Sequence, residues 1–300
     1  MKVIKVKPRG YCKGVVSAIN IAKETVIKYP NEKIYILGML VHNRYVKTAL
    51  NTLNVETLDT PGKSRLELLD EIDSGVVIFT AHGVSSAVKA KAIHKGLKII
   101  DASCSDVLRT QSIINNYSLG GYDIIYIGKK GHPEAMAVTH DHSNVHLVEN
   151  VSDINALKYY RKVFVTNQTT MSIDEIASLM QVIKAKYPYA IFSEEICDAT
   201  RMRQTAIKQL ANQGVDVLFI VGDSASNNSN RLADIGRLIG IKSVYLIDDV
   251  NDLGASMVAG CQLAAVSSGA STPTYLTNQV IEALENDDFT PKTIDITAIL

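Results

Sequence analysis

The chain has 300 residues, and 31 lysines and arginines balance 31 aspartates and glutamates. At about 100–200 residues per domain this length supports two or three globular units. The zero formal charge excludes a global attraction to nucleic acid or to an anionic membrane, so any anionic ligand must be held by local groups.

Residues 1–9 read as a short alternating strand, without the long apolar stretch of a signal peptide or the arginine-rich pattern of a transit peptide. The longest apolar runs, such as Val217–Val221, are strand-sized and cannot span a bilayer. These features place the expected chain in the cytoplasm. Four cysteines lie far apart with no CxxC pair among them. That is no disulfide framework, and in a reducing compartment spaced cysteines point to metal or redox chemistry.

In chain order, short β-branched runs (VIKV, KIYIL, VVIFTA, KIIDA, DIIYIG, KVFVT, AIFSE, VDVLFIVG, KSVYLI, LAAVSS) alternate with helix-like stretches such as 15–29 and 205–212. This alternation predicts an α/β fold with largely parallel sheets. A period of about ninety residues runs through it. Cys12, Cys104 and Cys197 each follow such a run and precede a helix, at separations of 92 and 93 residues. A second set of strand ends carries VHN at His42, GHPE at His132 and DSASNNSN around Ser226, separated by 90 and 94 residues; a third carries AHG at His82, NQTT at Thr169 and SSGAS at Ser271. The reading is three copies of one α/β unit, at 1–103, 104–196 and 197–300. Their polar clusters fall at the carboxyl ends of strands, where open parallel sheets place ligand sites.

Three cysteines brought to one centre would suit a soft metal. Structural zinc usually takes four ligands in close sequence pairs, whereas an iron–sulfur cluster accepts dispersed thiolates. With three protein ligands, a four-iron cluster keeps one iron open as a Lewis acid. The competing reading is that these cysteines are small buried hydrophobes, and that reading is retained for Cys261, which falls in the apolar run CQLAAV without counterparts elsewhere.

His42, His82 and His132 can donate hydrogen bonds to an anion without a permanent basic patch. Ser226, Asn227, Asn228 and Ser271 add neutral hydroxyl and amide groups, and a helix starting near Ser226 would add backbone N–H groups and its dipole. No GxxxxGK[ST] loop or dinucleotide fingerprint is present. Glu134, two residues after His132, is the candidate for proton delivery, with Thr169 positioning or relaying the proton. Taken singly, each of these residues also fits an ordinary turn or cap. His94, His140, His142 and His146 lack the strand-end context and read as surface residues.

Together the segments PRGYCKGVVSAI, GMLVHNRYV, TAHGVS, DASC, GHPE, NQTT, ICDAT with RQ following, SNNSNRL and SGAS resemble the 4-hydroxy-3-methylbut-2-enyl diphosphate reductases, over nearly the whole chain. The resemblance implies a three-unit trefoil around a four-iron four-sulfur cluster held by Cys12, Cys104 and Cys197. It implies diphosphate ligands at His42, His82, His132, Ser226, Asn227, Asn228 and Ser271, and a proton route through Glu134 and Thr169. The implied reaction removes the substrate hydroxyl as water with two electrons and two protons, giving isopentenyl and dimethylallyl diphosphate in non-mevalonate isoprenoid synthesis. The electrons would come from a ferredoxin, flavodoxin or similar donor. This chain departs from the family pattern at Ser105 and Asp106, where proline and a hydrophobic residue are usual, at Ser17, in GHPEAMA, and in a short tail after Phe289. The alternatives are an enzyme of the same fold reducing a different allylic alcohol or diphosphate, and an iron–sulfur redox protein without a substrate.

Overall fold

The β-branched runs form the strands expected of them, in a computed structural model that describes all 300 residues. The first third holds β1 (Lys2–Lys5), α1 (Lys13–Lys28), β2 (Ile34–Leu37), α2 (Arg44–Asn51), β3 (Val55–Leu58), α3 (Arg65–Leu68), β4 (Val76–Phe79), α4 (Ser86–His94) and β5 (Lys98–Asp101). Next come α5 (Ser105–Leu119), β6 (Asp123–Ile127), α6 (Pro133–Asp141), β7 (Val145–Val148), α7 (Val151–Ala156), β8 (Val163–Asn167), α8 (Ile173–Lys186) and β9 (Ile191–Phe192). The last third holds α9 (Asp198–Lys208), β10 (Val217–Val221), α10 (Asn227–Leu238), β11 (Ser243–Ile247), β12 (Leu263–Ser268) and α11 (Thr274–Asn286).

All strand pairs are parallel, in three four-stranded sheets ordered β3-β2-β4-β5, β7-β6-β8-β9 and β11-β10-β12-β1. The three orders are one pattern, in which β2, β6 or β10 pairs with the next strand in sequence on one side and with the one after that on the other, and β5, β9 or β1 flanks the latter. The α/β expectation holds, and so does the internal repetition. The inner strands β2, β4, β6, β8, β10 and β12 are buried almost throughout, because helices on both faces of a parallel sheet leave it no solvent side.

The phase of the repeat differs from the one read off the spacing. β1, placed in a first unit running from residue 1, pairs with β12 from Lys2↔Leu263 to Lys5↔Val266 and supplies the fourth strand of the last sheet. Cys12, Cys104 and Cys197 therefore follow the fourth strand of each sheet and close a repeat rather than head one. Equal intervals set a period but not its origin. Two compact units result: one contains Met1–Val16, Val41–Thr52 and Asp198–Leu300, the other Ser17–Leu40 and Leu53–Cys197.

The helix expected at 205–212 starts earlier, at Asp198, and ends at Lys208. Its first half, DATRMRQ, buries Thr200, Arg203 and Gln204, so polarity there hid a packed face. Cys261 lies in the turn before β12 and is half-buried rather than inside the strand. His146 lies in β7, half-buried, with Nε2 3.0 Å from Asp123 Oδ1 and its ring stacked on Tyr160. No helix is long and apolar enough to cross a membrane.

Candidate active site

Each cysteine of the repeated set is fixed by the same backbone bond. The amide of Cys12 donates to Ala270 O at 2.9 Å, that of Cys104 to Ala81 O at 3.0 Å and that of Cys197 to Thr169 O at 3.1 Å. Ala270, Ala81 and Thr169 are each two residues past the third strand of a sheet, β12, β4 and β8. Each cysteine also stands immediately before a helix: Cys104 is the N-cap of α5, and the Cys12 carbonyl accepts from Val16 N at 3.0 Å. A helix N-terminus favours a negatively charged group. None of the four cysteines forms a disulfide.

In the unit containing Ser17–Leu40 and Leu53–Cys197, β4 runs into the turn that carries His82. Arg65 supports that turn, donating to Thr80 Oγ1 at 2.7 Å and to Gly83 O. Thr80 Oγ1 lies 3.4 Å from His82 Nδ1. His132 is the N-cap of α6 and packs edge-on against His82, ring centroids 5.6 Å apart. Its Nδ1 accepts the Glu134 amide at 3.2 Å. An acceptor Nδ1 leaves the proton on Nε2, so His132 presents one ring donor rather than the two of a cationic histidine.

Glu134, 2 % exposed, is surrounded by donors. Oε1 accepts from Thr169 N at 2.8 Å and from Tyr126 OH at 3.3 Å, and Oε2 lies 2.9 Å from Thr169 Oγ1. Burial pushes its carboxyl up to about 7, opposed by the Thr169 and Tyr126 bonds and aided by the charge of Asp106. Such a carboxyl is divided between acid and carboxylate near neutrality, as proton transfer requires. Thr169 thus joins two expected site residues, since its N–H and hydroxyl hold Glu134 and its carbonyl holds Cys197. Upstream, Glu195 is buried, bonded by Ser193 Oγ at 2.7 Å, with its amide on Asn167 Oδ1 at 3.0 Å.

In the other unit, Ser226 is the N-cap of α10, its Oγ accepting Ser229 N at 3.3 Å. Asn227 and Asn228 fill the first turn and are buried. The Asn228 amide makes no hydrogen bond through either Nδ2 or Oδ1. A buried amide left so costs about 1–3 kcal/mol, a cost that a bound polar ligand removes. Ser271 Oγ donates to His42 O at 2.9 Å, setting the turn that enters α2, whose N-cap Asn43 accepts from Tyr45 N and Val46 N.

Residues not anticipated from sequence hold these turns. Arg44 donates to Asp249 Oδ2 at 3.1 Å and pairs with Asp248 at 3.1 Å, its amide reaches Asp223 Oδ2 at 3.2 Å, and Tyr45 OH bonds Asp249. Arg203, 2 % exposed, donates to Gly10 O at 2.5 Å and to Ala199 O at 3.2 Å, tying the Cys12 turn to α9. Gly10 has φ +82°, and a Cβ there would lie 2.1 Å from Thr274 Oγ1, so the turn closes only around glycine. Tyr11 OH donates to Ile299 O at 2.8 Å and packs the short tail beside that turn. The RQ after ICDAT was the one sequence signal for Arg203.

The model of the family described as LytB protein matches residues 3–285. The chain is 46% identical over 295 residues to a 4-hydroxy-3-methylbut-2-enyl diphosphate reductase of Exiguobacterium sp., covering 96% of this chain and 92% of that one. It is 47% identical over 292 residues to the enzyme of the same name from Symbiobacterium thermophilum, covering 95% and 97%. Among solved structures, the E-1-hydroxy-2-methyl-but-2-enyl-4-diphosphate reductase of Plasmodium falciparum superposes with a TM-score of 0.89 at 30% identity, covering 96% of this chain and 89% of that one. A second structure, described as (E)-4-hydroxy-3-methyl-but-2-enyl diphosphate reductase, the terminal enzyme of the non-mevalonate pathway, superposes at 0.65 with 28% identity, covering 95% and 100%. With the family's model spanning nearly the whole chain and close relatives matching it end to end, the chain belongs to the LytB protein family.

Proposed function

We propose that this chain is a 4-hydroxy-3-methylbut-2-enyl diphosphate reductase, converting its substrate to isopentenyl and dimethylallyl diphosphate. The supporting observation is the chain of bonds from Glu134 through Thr169 to Cys197. It sets a buried carboxyl of nearly neutral pKa beside a cysteine of the repeated set.

The donor set fits an iron–sulfur cluster. Three thiols outside any disulfide, each pinned by the same backbone bond ahead of a helix, are soft ligands without the close pairing of zinc sites. Cys12, Cys104 and Cys197 would hold a four-iron four-sulfur group, each cysteine following the fourth strand of one of the three sheets. When bound, the group supplies electrons and an open Lewis-acidic iron for the departing hydroxyl.

The remaining work falls to the chain. Loss of the hydroxyl as water consumes two electrons and two protons, and Glu134 supplies a proton through the Thr169 hydroxyl. His132 donates through Nε2 to the diphosphate, with His42 and His82 adding ring donors. Asn228 offers its amide, Ser226, Asn227 and Ser271 add hydroxyl and amide groups, and the start of α10 contributes backbone N–H groups and its dipole. Electrons come from a ferredoxin, flavodoxin or similar cytoplasmic donor.

The test is an anaerobic assay of the reconstituted protein with reduced viologen and 4-hydroxy-3-methylbut-2-enyl diphosphate, recording the iron–sulfur absorbance of the same sample. Turnover by a brown protein supports the reading. A brown protein without turnover points to another allylic substrate, and a colourless one removes the cysteines from metal chemistry.

A further inference from the structure

Tyr126 read from sequence as one more apolar strand residue in DIIYIG. Side chains alternate along β6. Ile125 and Ile127 pack with Val148, Val163 and Ile176, whereas Ile124 and Tyr126 face Ile114, Val138 and Phe164. The Tyr126 ring is fully buried. Gly128 leaves room for it, since a Cβ at Gly128 would lie 2.8 Å from Tyr126 Cε1. A phenol hydroxyl so deeply buried needs a polar partner, and the one it reaches is Glu134 Oε1 at 3.3 Å.

The two carboxyl oxygens of Glu134 are consequently unequal. Oε1 takes two donors, Tyr126 OH and the Thr169 amide at 2.8 Å, while Oε2 faces the Thr169 hydroxyl at 2.9 Å. A proton placed on Oε1 would meet one N–H, that of Thr169, and one O–H, that of Tyr126, already donated to that atom. A proton on Oε2 finds in Thr169 Oγ1 an oxygen able to accept it and to donate in turn.

We propose that Tyr126 is a positioning residue which, with the Thr169 amide, confines the Glu134 proton to Oε2 and so aims it at the Thr169 hydroxyl. The step moves no electrons. The Oε2–H bond breaks, Thr169 Oγ1 takes that proton and releases its own toward the substrate side, and the carboxylate left behind is held at Oε1 by the same two donors. This inference rests on Glu134 being the proton source. The groups facing that carboxyl are Tyr126 from β6, Thr169 from the turn after β8, His132 at the head of its own helix, and Asp106 from α5, whose charge favours the protonated form. Tyr126 acts in the opposite sense, because its hydroxyl stabilises the carboxylate.

The test compares the reconstituted holoprotein with Tyr126→Phe, which keeps the ring and removes the hydroxyl, and with Gly128→Ala, which keeps the hydroxyl and displaces the ring. The carboxylic C=O stretch of Glu134, assigned by difference against Glu134→Gln, is followed with pH by infrared spectroscopy without substrate. Both variants are expected to raise its midpoint by about one pH unit, the scale of a lost charge-assisted hydrogen bond. In the assay, the alkaline limb of kcat should move up by the same amount and kcat should fall about tenfold, with KM unchanged, because a hydrogen bond to the proton donor acts in the chemical step. Midpoints and limbs coinciding with the parent would overturn the proposal even if both variants lost activity. Because the infrared titration needs no substrate, a shifted midpoint in a protein that does not turn over sustains the positioning role and rejects the substrate assignment.

Discussion

Glu134 and Asn228 both sit in the first turn of a helix that follows an inner, almost wholly buried parallel strand, at 2 % and 5 % exposure. Around Glu134 every oxygen is engaged, by Thr169 twice and Tyr126 once. Around Asn228 neither amide atom has a partner. The first arrangement is complete without a ligand and its chemistry is internal, a proton held at adjustable affinity. The second is incomplete until something polar arrives. On the proposed reading, proton supply and anion binding would be built by opposite treatments of buried polarity, which costs free energy only where it is unsatisfied.

The comparison breaks most visibly at Glu134. Glu134→Gln is expected to keep the iron–sulfur absorbance and lower kcat by about 100-fold or more, the scale of a lost general acid; steady-state kinetics with the spectrum of the same sample checks it. The same substitution should alter stability with pH. Burial raises the folded carboxyl from its ordinary 4.5 to about 7, so the folded chain binds this proton more tightly than the unfolded one. Its contribution is full below about pH 4.5 and is lost as pH rises through about 7, a difference of about 3 kcal/mol. Denaturant unfolding at several pH values should show that slope in the parent and a flatter profile in Glu134→Gln.

Smaller effects sharpen the contrast. Thr169→Val removes one hydroxyl from a satisfied network and should cost about 1–2 kcal/mol of stability, with kcat about tenfold lower, measured by denaturant unfolding and by assay. Asn228→Ala removes an unsatisfied amide and should leave the ligand-free protein as stable as the parent or about 1 kcal/mol more so. A thermal melt without diphosphate distinguishes the two directions.

Much of this was legible before the structure. Ten of the twelve strands announced themselves, and the two that did not, β3 and β7, are the outer strands of their sheets, where Glu56 and His146 interrupt a short apolar run. β1, β5, β9 and β11 are outer strands too, so the polar residues inside four-residue strands, not the edge position, diluted the pattern. The cysteine period was visible, but its phase was not, because the β1–β12 pairing joins opposite ends of the chain and no local pattern encodes that. Glu134 and Thr169 stood out through their strand-end motifs. Tyr126 did not, since a tyrosine in a strand reads as core until its partner, Glu134 Oε1, is known, and Arg203 was marked only by the RQ that follows ICDAT, ahead of the helix expected at 205–212 and far in sequence from its partner Gly10 O.

The division between the two regions is tested most directly by calorimetric titration of the reconstituted protein with inorganic diphosphate, comparing the parent with Asn228→Ala and Glu134→Gln. Separate proton and anion sites require roughly tenfold weaker binding in Asn228→Ala, the scale of one hydrogen bond to a charged group, and parent-like binding in Glu134→Gln, and this is the division the titration tests. Parent-like binding in Asn228→Ala, or a loss confined to Glu134→Gln, would contradict it.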